Sequence, residues 1–94
     1  MNKMDTRAEA KLLKAMAHPV RLKILDRLSI GPCCANAAHK TLPISQPNLS
    51  QHLRALRKAG LIKFEKRGVR RCYFLSDKIL IRKLLASIKG FLGA

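Results

Sequence analysis

The chain has few aromatic residues and few acids. Its 94 residues include three Phe, one Tyr and no Trp, so a core must be built mainly from Leu, Ile, Val and Ala. Only 5 residues are Asp or Glu, against 20 Lys and Arg, and the formal net charge is +15. This excess of positive charge indicates a polyanionic partner, either nucleic acid or an anionic membrane surface. Composition alone also leaves open a basic protein without a specific partner.

Other absences narrow the class of protein. The sequence contains no run of 18 apolar residues, which predicts that no helix spans a membrane. The charged N-terminal region lacks the apolar segment of a secretory signal. Three cysteines, two of them adjacent, do not suit the disulfide framework of a secreted domain. Because no Ser-His-Asp set, paired carboxylates or glycine-rich phosphate loop is evident either, we expect a cytoplasmic protein that is not an enzyme.

The spacing of apolar residues predicts a single domain, residues 1–94, that is mainly helical with a small β-hairpin. A first helix is expected over residues 6–16, with Thr6 as its cap and Glu9 completing a capping box. A second helix should begin at Pro19 and end before a Gly-Pro pair. A third, short helix is predicted over residues 34–40, giving five helices in all with the two described next.

The second half of the chain carries the clearest boundary signals. A helix is predicted over residues 45–59, between an N-cap at Ser45 and a left-handed C-cap at Gly60. Alternating apolar residues then predict a two-stranded hairpin, or wing, over residues 61–76, with Arg67-Gly68 at its turn. Apolar residues recurring every three or four positions predict a last amphipathic helix over residues 78–92.

The segment from Ile44 to Phe74 has a strongly uneven charge. It holds eight Lys and Arg side chains and the single acid Glu65. A polar helix joined to a cationic hairpin is typical of a winged helix-turn-helix, which places the helix in the DNA major groove and the hairpin along the phosphates or in the minor groove. The predicted DNA-binding residues are Ser45, Gln46, Asn48, Ser50, Gln51, Arg54, Arg57 and Lys58 in the helix, and Lys66, Arg67, Arg70 and Arg71 in the hairpin.

The helical periodicity assigns roles within this set. Steps of 100° from the leucine stripe of the helix direct Gln51 and Arg54 outward, with Asn48 on a shoulder. The two amides can pair with adenine edges and the guanidinium with guanine, whereas the basic residues further along the helix are expected at phosphates. His52, at the margin of the stripe, is expected to be packed or hydrogen-bonded, and His18 to be structural.

Three stretches resemble a known family. AHPVRLKIL at 17–25, SQPNLSQHLRALRKAGLI at 45–62 and RRCYFLSD at 70–77 closely resemble the ArsR/SmtB family of small bacterial winged-helix repressors, which sense metals, metalloids or redox signals. The resemblance covers nearly the whole chain. It implies a cytoplasmic homodimer joined through the first and last helices, residues 6–16 and 78–92. Such a dimer would bind a palindromic double-stranded operator and release it when an inducer arrives. The apolar faces of these two helices fit the same role independently.

The sensing motifs of that family are not matched. Its arsenic sensors carry a Cys-x-Cys pair in the helix before the recognition helix, and this pair is absent here. Its zinc sensors place Asp and His ligands on the last helix, whereas residues 78–94 contain no His, Cys or Glu. Any effector site must therefore be built from other residues.

The cysteines are the remaining candidates for such a site. Cys33 and Cys34 precede the third predicted helix, where winged-helix folds often place a short strand beside the return strand of the wing, which carries Cys72. Three thiolates would suit trivalent arsenic or antimony or another soft metal, and a set extended by His39 would suit zinc. Two thiols would suffice for a reversible disulfide or persulfide switch. The fourth possibility is that all three are small buried hydrophobic residues.

The sequence therefore predicts a sequence-specific transcriptional repressor that a thiol-reactive effector, such as arsenite, antimonite or another soft metal, releases from its operator. A redox- or persulfide-responsive repressor and an effector-independent one are alternatives of the same fold. A nonspecific architectural nucleic-acid-binding protein is the alternative of another class. No resident cofactor is assigned, and no membrane partner is expected.

Overall fold

Four helices and a three-stranded sheet make up the part of the chain described by the computed structural model, residues 5–34, 42 and 44–93. In chain order, the elements are α1 (Thr6–Met16), α2 (Pro19–Ile30), β1 (Cys33–Cys34), α3 (Gln46–Lys58), β2 (Ile62–Arg67), β3 (Arg70–Leu75) and α4 (Lys78–Gly93). The sheet is antiparallel, in the order β1-β3-β2. This is the mainly helical winged helix-turn-helix architecture that the sequence predicts, with β1 beside the return strand as expected.

Two details differ from the prediction. The carboxylate of Asp5, rather than the hydroxyl of Thr6, caps α1 by accepting a hydrogen bond from the Arg7 amide at 3.0 Å. The hairpin turn is Gly68-Val69, because Arg67 still pairs with Arg70 as the last residue of β2. Gly68 has a φ of +66°, the left-handed conformation that tight hairpin turns favour at this place.

The predicted third helix falls mostly on residues that the structure does not describe. Its residues 35–40, which include His39, lie outside the described residues. Its predicted first residue, Cys34, belongs to β1 instead, because its backbone pairs with that of Cys72. The five-helix count is therefore not confirmed, and four helices lie within the described ranges.

Helix α3 is held by both of its predicted caps. The Ser45 hydroxyl accepts a hydrogen bond from the Asn48 amide at 3.4 Å. At the other end Gly60 has a φ of +82°, and the amides of Gly60 and Leu61 bond back to the carbonyls of Arg57 and Leu56, at 3.0 Å each. This is a Schellman motif, which satisfies the last carbonyls of the helix and turns the chain directly into β2.

The hydrophobic core lies under α3 and the sheet. From α3 it takes the leucine stripe, and from α2 it takes three residues of helical spacing; the buried side chains of these two helices are Leu49, Leu53, Leu56, Ile24, Leu25 and Leu28. Ile62 and Tyr73 contribute from the sheet. Because the leucine stripe is fully used in packing, the polar face of α3 points away from the core. Among the described residues, no helix is long and apolar enough to cross a membrane.

Candidate nucleic-acid interface

Helix α3 presents a continuous polar face to solvent. Every helix residue predicted to contact DNA is exposed, from Ser45 at the cap to Lys58 at the last turn. Gln51 and Arg54 lie opposite the leucine stripe, so their side chains are the natural candidates for reaching base edges. None of the five acids of the chain lies between positions 45 and 58, so the face carries only neutral and positive groups.

The wing extends this positive surface. Its four predicted contacts are exposed and surround the Gly68-Val69 turn. Strand alternation divides them: Lys66 and Arg71 are register partners on one side of the hairpin, and Arg67 and Arg70 are partners on the other. Both faces of the wing tip are therefore cationic. Glu65 lies 3.9 Å from Arg67, but both side chains are exposed, so this ion pair contributes little.

A serine fastens the wing to the end of α3. The Ser76 hydroxyl donates to the Gly60 carbonyl at 2.6 Å and also lies 3.1 Å from the Leu61 carbonyl. The Ser76 amide donates to the same Leu61 carbonyl at 3.0 Å. These bonds join the residue after β3 to the C-cap of α3. Helix and wing thereby keep a fixed spacing, which a surface that matches one groove and its flanking phosphates requires.

Phe64 forms a second link between helix and wing, which sequence reasoning missed. The guanidinium carbons of Arg57, from α3, and Arg71, from β3, each lie 4.9 Å from the centre of its ring. Tyr73 supports the ring from the facing strand, with centroids 5.5 Å apart. The ring therefore orders two predicted phosphate contacts from different elements. The available signal was an aromatic residue among cations at an inward-facing strand position.

We expect Phe64→Leu to weaken DNA binding by about 5- to 30-fold, because two exposed cation–π contacts contribute about 0.5–1 kcal/mol each. Leucine keeps an apolar side chain at this half-buried site but does not hold the two arginines. Phe74→Leu is the matched control, since Phe74 is also a half-buried residue of the wing. Fluorescence anisotropy on one duplex compares the two variants. Equal loss from both would show that Phe64 acts only through packing.

Two histidines join α2 to α3. The His18 ring accepts a hydrogen bond from the Val20 amide at 3.1 Å and so caps α2. The His52 ring accepts one from the Arg21 Nε at 3.1 Å, and Arg21 also donates to the Ala15 carbonyl. The two rings are 4.4 Å apart. Both histidines thus have the structural roles predicted from the sequence, and Arg21 is the partner that the sequence did not reveal.

Stability is expected to fall below neutral pH because of His52. Burial, and then electrostatic interactions with His18 and Arg21, lower its pKa from the ordinary 6.5. As the pH falls through about 6.5, the unfolded chain binds the proton first, so the free energy of unfolding decreases. Urea midpoints at pH 7.5 and 5.5 measure this loss, which should be smaller in His52→Gln. An equal loss in both proteins would exclude His52 as the cause.

The sheet separates the three cysteines. Cys33 faces the core and is buried, opposite Tyr73 in the register, whereas Cys34 and Cys72 are half-buried partners on the other face. Their sulfur atoms are 2.6 Å apart and share a hydrogen bond. Cys33 therefore does not join the predicted three-thiolate set, because neighbouring strand residues point to opposite faces. Within the described residues, no three His, Cys, Asp or Glu side chains meet in a metal-binding group.

The contact between the two sulfur atoms changes the acidity of Cys72. The hydrogen bond with Cys34 and burial raise the pKa of Cys72, outweighing the opposite effect of the Arg67 and Arg70 charges. Because the thiolate is the nucleophilic form of a cysteine, this raised pKa lowers the reactivity of Cys72 toward electrophiles.

Comparison with known proteins places this geometry in a class. Residues 16–63 match the model of a helix-turn-helix domain family. Over 77 residues the chain is 35% identical to an arsenical resistance operon repressor of Staphylococcus xylosus, covering 82% of this chain and 74% of the relative. Over 81 residues it is 35% identical to the HTH-type transcriptional repressor SmtB of Mycobacterium tuberculosis, covering 86% of this chain and 60% of the relative. The chain thus spans less than two thirds of the SmtB relative.

A solved structure agrees with the sequence matches. The homodimeric winged helix-turn-helix DNA-binding domain of a possible ArsR-family regulator from Mycobacterium bovis superposes with a TM-score of 0.84 at 27% identity, covering 94% of this chain and 81% of that one. Fold and exposed surface define a winged helix-turn-helix protein of the DNA-binding class. The chain belongs to the ArsR/SmtB family of transcriptional regulators, as its resemblance predicted. The compared proteins are regulators, which agrees with the prediction that this chain is not an enzyme.

Proposed function

We propose that the chain is a sequence-specific transcriptional repressor that binds a palindromic operator as a homodimer. The observation that carries this proposal is the acid-free polar face of α3, fixed by Ser76 beside a cationic wing. Gln51, Arg54 and Asn48 read bases in the major groove. The remaining members of the predicted set hold phosphates from the helix ends and the wing.

Selection from a randomised duplex library tests this function. The recovered duplex and a scrambled version are then compared at one fixed salt concentration. A repressor of this class should prefer the selected duplex by about 10³-fold or more. A ratio near one with a steep salt dependence would instead establish the nonspecific architectural protein, since phosphate contacts alone carry no sequence choice.

The dimer is supported by apolar side chains left outside the core. Leu13 on α1 and Leu80, Phe91 and Leu92 on α4 are 55% to 86% exposed. Leu80 and Phe91 are eleven positions apart and therefore lie within about 20° of each other on one face of α4. A relative of the same fold is homodimeric. We propose that these two helices pair with those of a second copy, which gives the operator its twofold symmetry.

We also propose that a thiol-reactive effector acts through Cys34 and Cys72. A two-sulfur pair on the wing strand can change the position of the wing when it reacts. The arsenical resistance repressor among the relatives supports a metalloid effector, whereas the two-thiol geometry favours a ligand or reaction that needs only two sulfurs. Arsenite, antimonite, zinc and an oxidant are each titrated into the reduced protein bound to its duplex.

Cysteine variants show whether the response is thiol-based. Cys34→Ser and Cys72→Ser should each abolish release of the duplex, and Cys33→Ala should leave release intact. A response retained in a Cys34→Ser/Cys72→Ser double variant would place the effector site elsewhere. Absence of any response in the wild type would leave the effector-independent repressor. If the double variant still responded to zinc and to no other effector, His39 would be the next candidate ligand.

A further inference from the structure

The side chain of Cys34 lies in the wall of a cavity. A hollow of about 460 Å³ between α3, β1 and the wing is lined by Cys34, Ser50, Arg70, Arg71 and neighbouring apolar side chains. This volume falls within the usual range for small-molecule sites. Cys72 is not part of the wall, so a molecule in the cavity meets Cys34 first, and the sulfur of Cys72 lies 2.6 Å from that of Cys34.

The charge of the cavity favours an anionic ligand. Among the described residues, the charged ones of its wall are Arg70 and Arg71, both positive, and no carboxylate lines it. Planar guanidinium groups bind carboxylates through paired hydrogen bonds. A molecule that combines carboxylates with a sulfur electrophile would therefore be concentrated beside Cys34.

We propose that the Cys34–Cys72 pair is a site of thiol–disulfide exchange for small, carboxylate-bearing disulfides of the oxidised glutathione type. Cys34 is the attacking sulfur and Cys72 the resolving one. This inference rests on the proposed thiol response, and it names both the chemistry and the class of effector.

The exchange proceeds in two balanced steps. The Cys34 thiolate attacks one sulfur of the small disulfide, whose S–S bond breaks, so that one half leaves as a thiolate and the other stays bonded to Cys34. Cys72 then loses its proton, and its sulfur attacks the Cys34 sulfur, which expels the second half as a thiolate. The two departing thiolates take up the protons that the protein thiols gave. One small disulfide is thus reduced by two electrons, and the protein gains one disulfide.

The disulfide formed in this exchange lies beside the predicted DNA-binding surface of the wing. A Cys34–Cys72 disulfide joins β1 covalently to β3, next to Arg71 and Arg70. While the anion occupies the cavity, it also competes with phosphates for these arginines. Wing position and wing charge would thereby change together, and operator affinity would fall.

The test uses the reduced full chain without DNA and two probes of opposite charge. Oxidised glutathione carries carboxylates, whereas cystamine carries only amines. To correct for intrinsic reactivity, the rate at which each disulfide reacts with the protein is divided by its rate with a small model thiol. Mass spectrometry follows mixed and internal disulfides. We expect oxidised glutathione to react about tenfold faster or more, because opposite charge raises encounter rates by about 10- to 10³-fold. Arg70→Gln/Arg71→Gln should bring the ratio toward one.

Cysteine variants identify the order of attack. Cys72→Ser should stop at a glutathione adduct on Cys34, Cys34→Ser should form no adduct at the pair, and Cys33→Ala should behave as the wild type. Equal corrected rates for the two probes, or a first adduct on Cys72, would overturn the proposal. Because these measurements need no DNA, charge-selective exchange in a protein without operator preference would uphold this inference and reject the proposed repressor function. Operator preference in a protein without charge-selective exchange would uphold the proposed repressor function and reject this inference.

Discussion

Replacing Gln51 and Arg54 with alanine is expected to remove the preference for the operator while retaining binding to DNA in general. A bidentate side chain–base contact discriminates by about 1–3 kcal/mol, or about 5- to 150-fold, and a dimer would lose each contact twice. Both side chains are exposed on α3 and belong to no cap or core contact, so folding should be unaffected. Affinities of the double variant for the selected and the scrambled duplex are measured at one salt concentration.

A phosphate-contact variant provides the control. Lys66→Ala/Arg67→Ala removes two cations from the wing, and affinity should fall by a similar factor on both duplexes, with a shallower salt dependence. The two variants are therefore separated by the ratio of affinities. If Gln51→Ala/Arg54→Ala instead lowered both affinities equally, α3 would not be the element that reads the sequence.

The parts of the interface that could be predicted are those encoded by local signals. Ser45 and Gly60 cap α3 through contacts within one or two turns, so the pattern of residues around them determines where the helix begins and ends. The leucine stripe then fixes the outward face, because a helix buries the same side throughout its length. The wing followed from alternation and a glycine turn. These elements together carry every predicted DNA contact that the structure describes.

The parts that could not be predicted depend on register between distant segments. Cys33 and Cys34 are equivalent as sequence neighbours, and only the pairing of β1 with β3 decides which of them meets Cys72. A shift of one residue would exchange their roles. The contacts of Phe64 likewise need Arg57 from the helix and Arg71 from the facing strand, which no single segment contains. The effector chemistry depends on such long-range contacts throughout, whereas the identity of the exposed DNA-binding residues follows from local signals.

A second large effect is expected from Phe91→Glu, which should separate the proposed dimer and weaken operator binding by about 10²-fold or more. Phe91 is 86% exposed in the single chain, so a charge there costs the monomer little. In a dimer, the same position would be buried against the partner, and an unpaired carboxylate would be strongly unfavourable. Two linked half-site contacts bind about 10²- to 10⁴-fold more tightly than one, and a monomer loses this gain. Sedimentation velocity and operator titration measure the two effects.

Ala86→Glu is the control that separates the effect of the apolar surface from the effect of the added charge. It adds the same carboxylate to an exposed position of α4 that lies about 140° around the helix from Phe91, at 100° per residue. This variant should remain dimeric and bind with nearly unchanged affinity, since one added charge among twenty cations alters steering only slightly. A dimeric Phe91→Glu protein with full affinity would mean that another face joins the protomers. If both variants lost affinity equally while staying dimeric, the cause would be net charge. Only loss of the dimer in Phe91→Glu alone, together with loss of operator binding, links the apolar face of α4 to recognition of two half-sites.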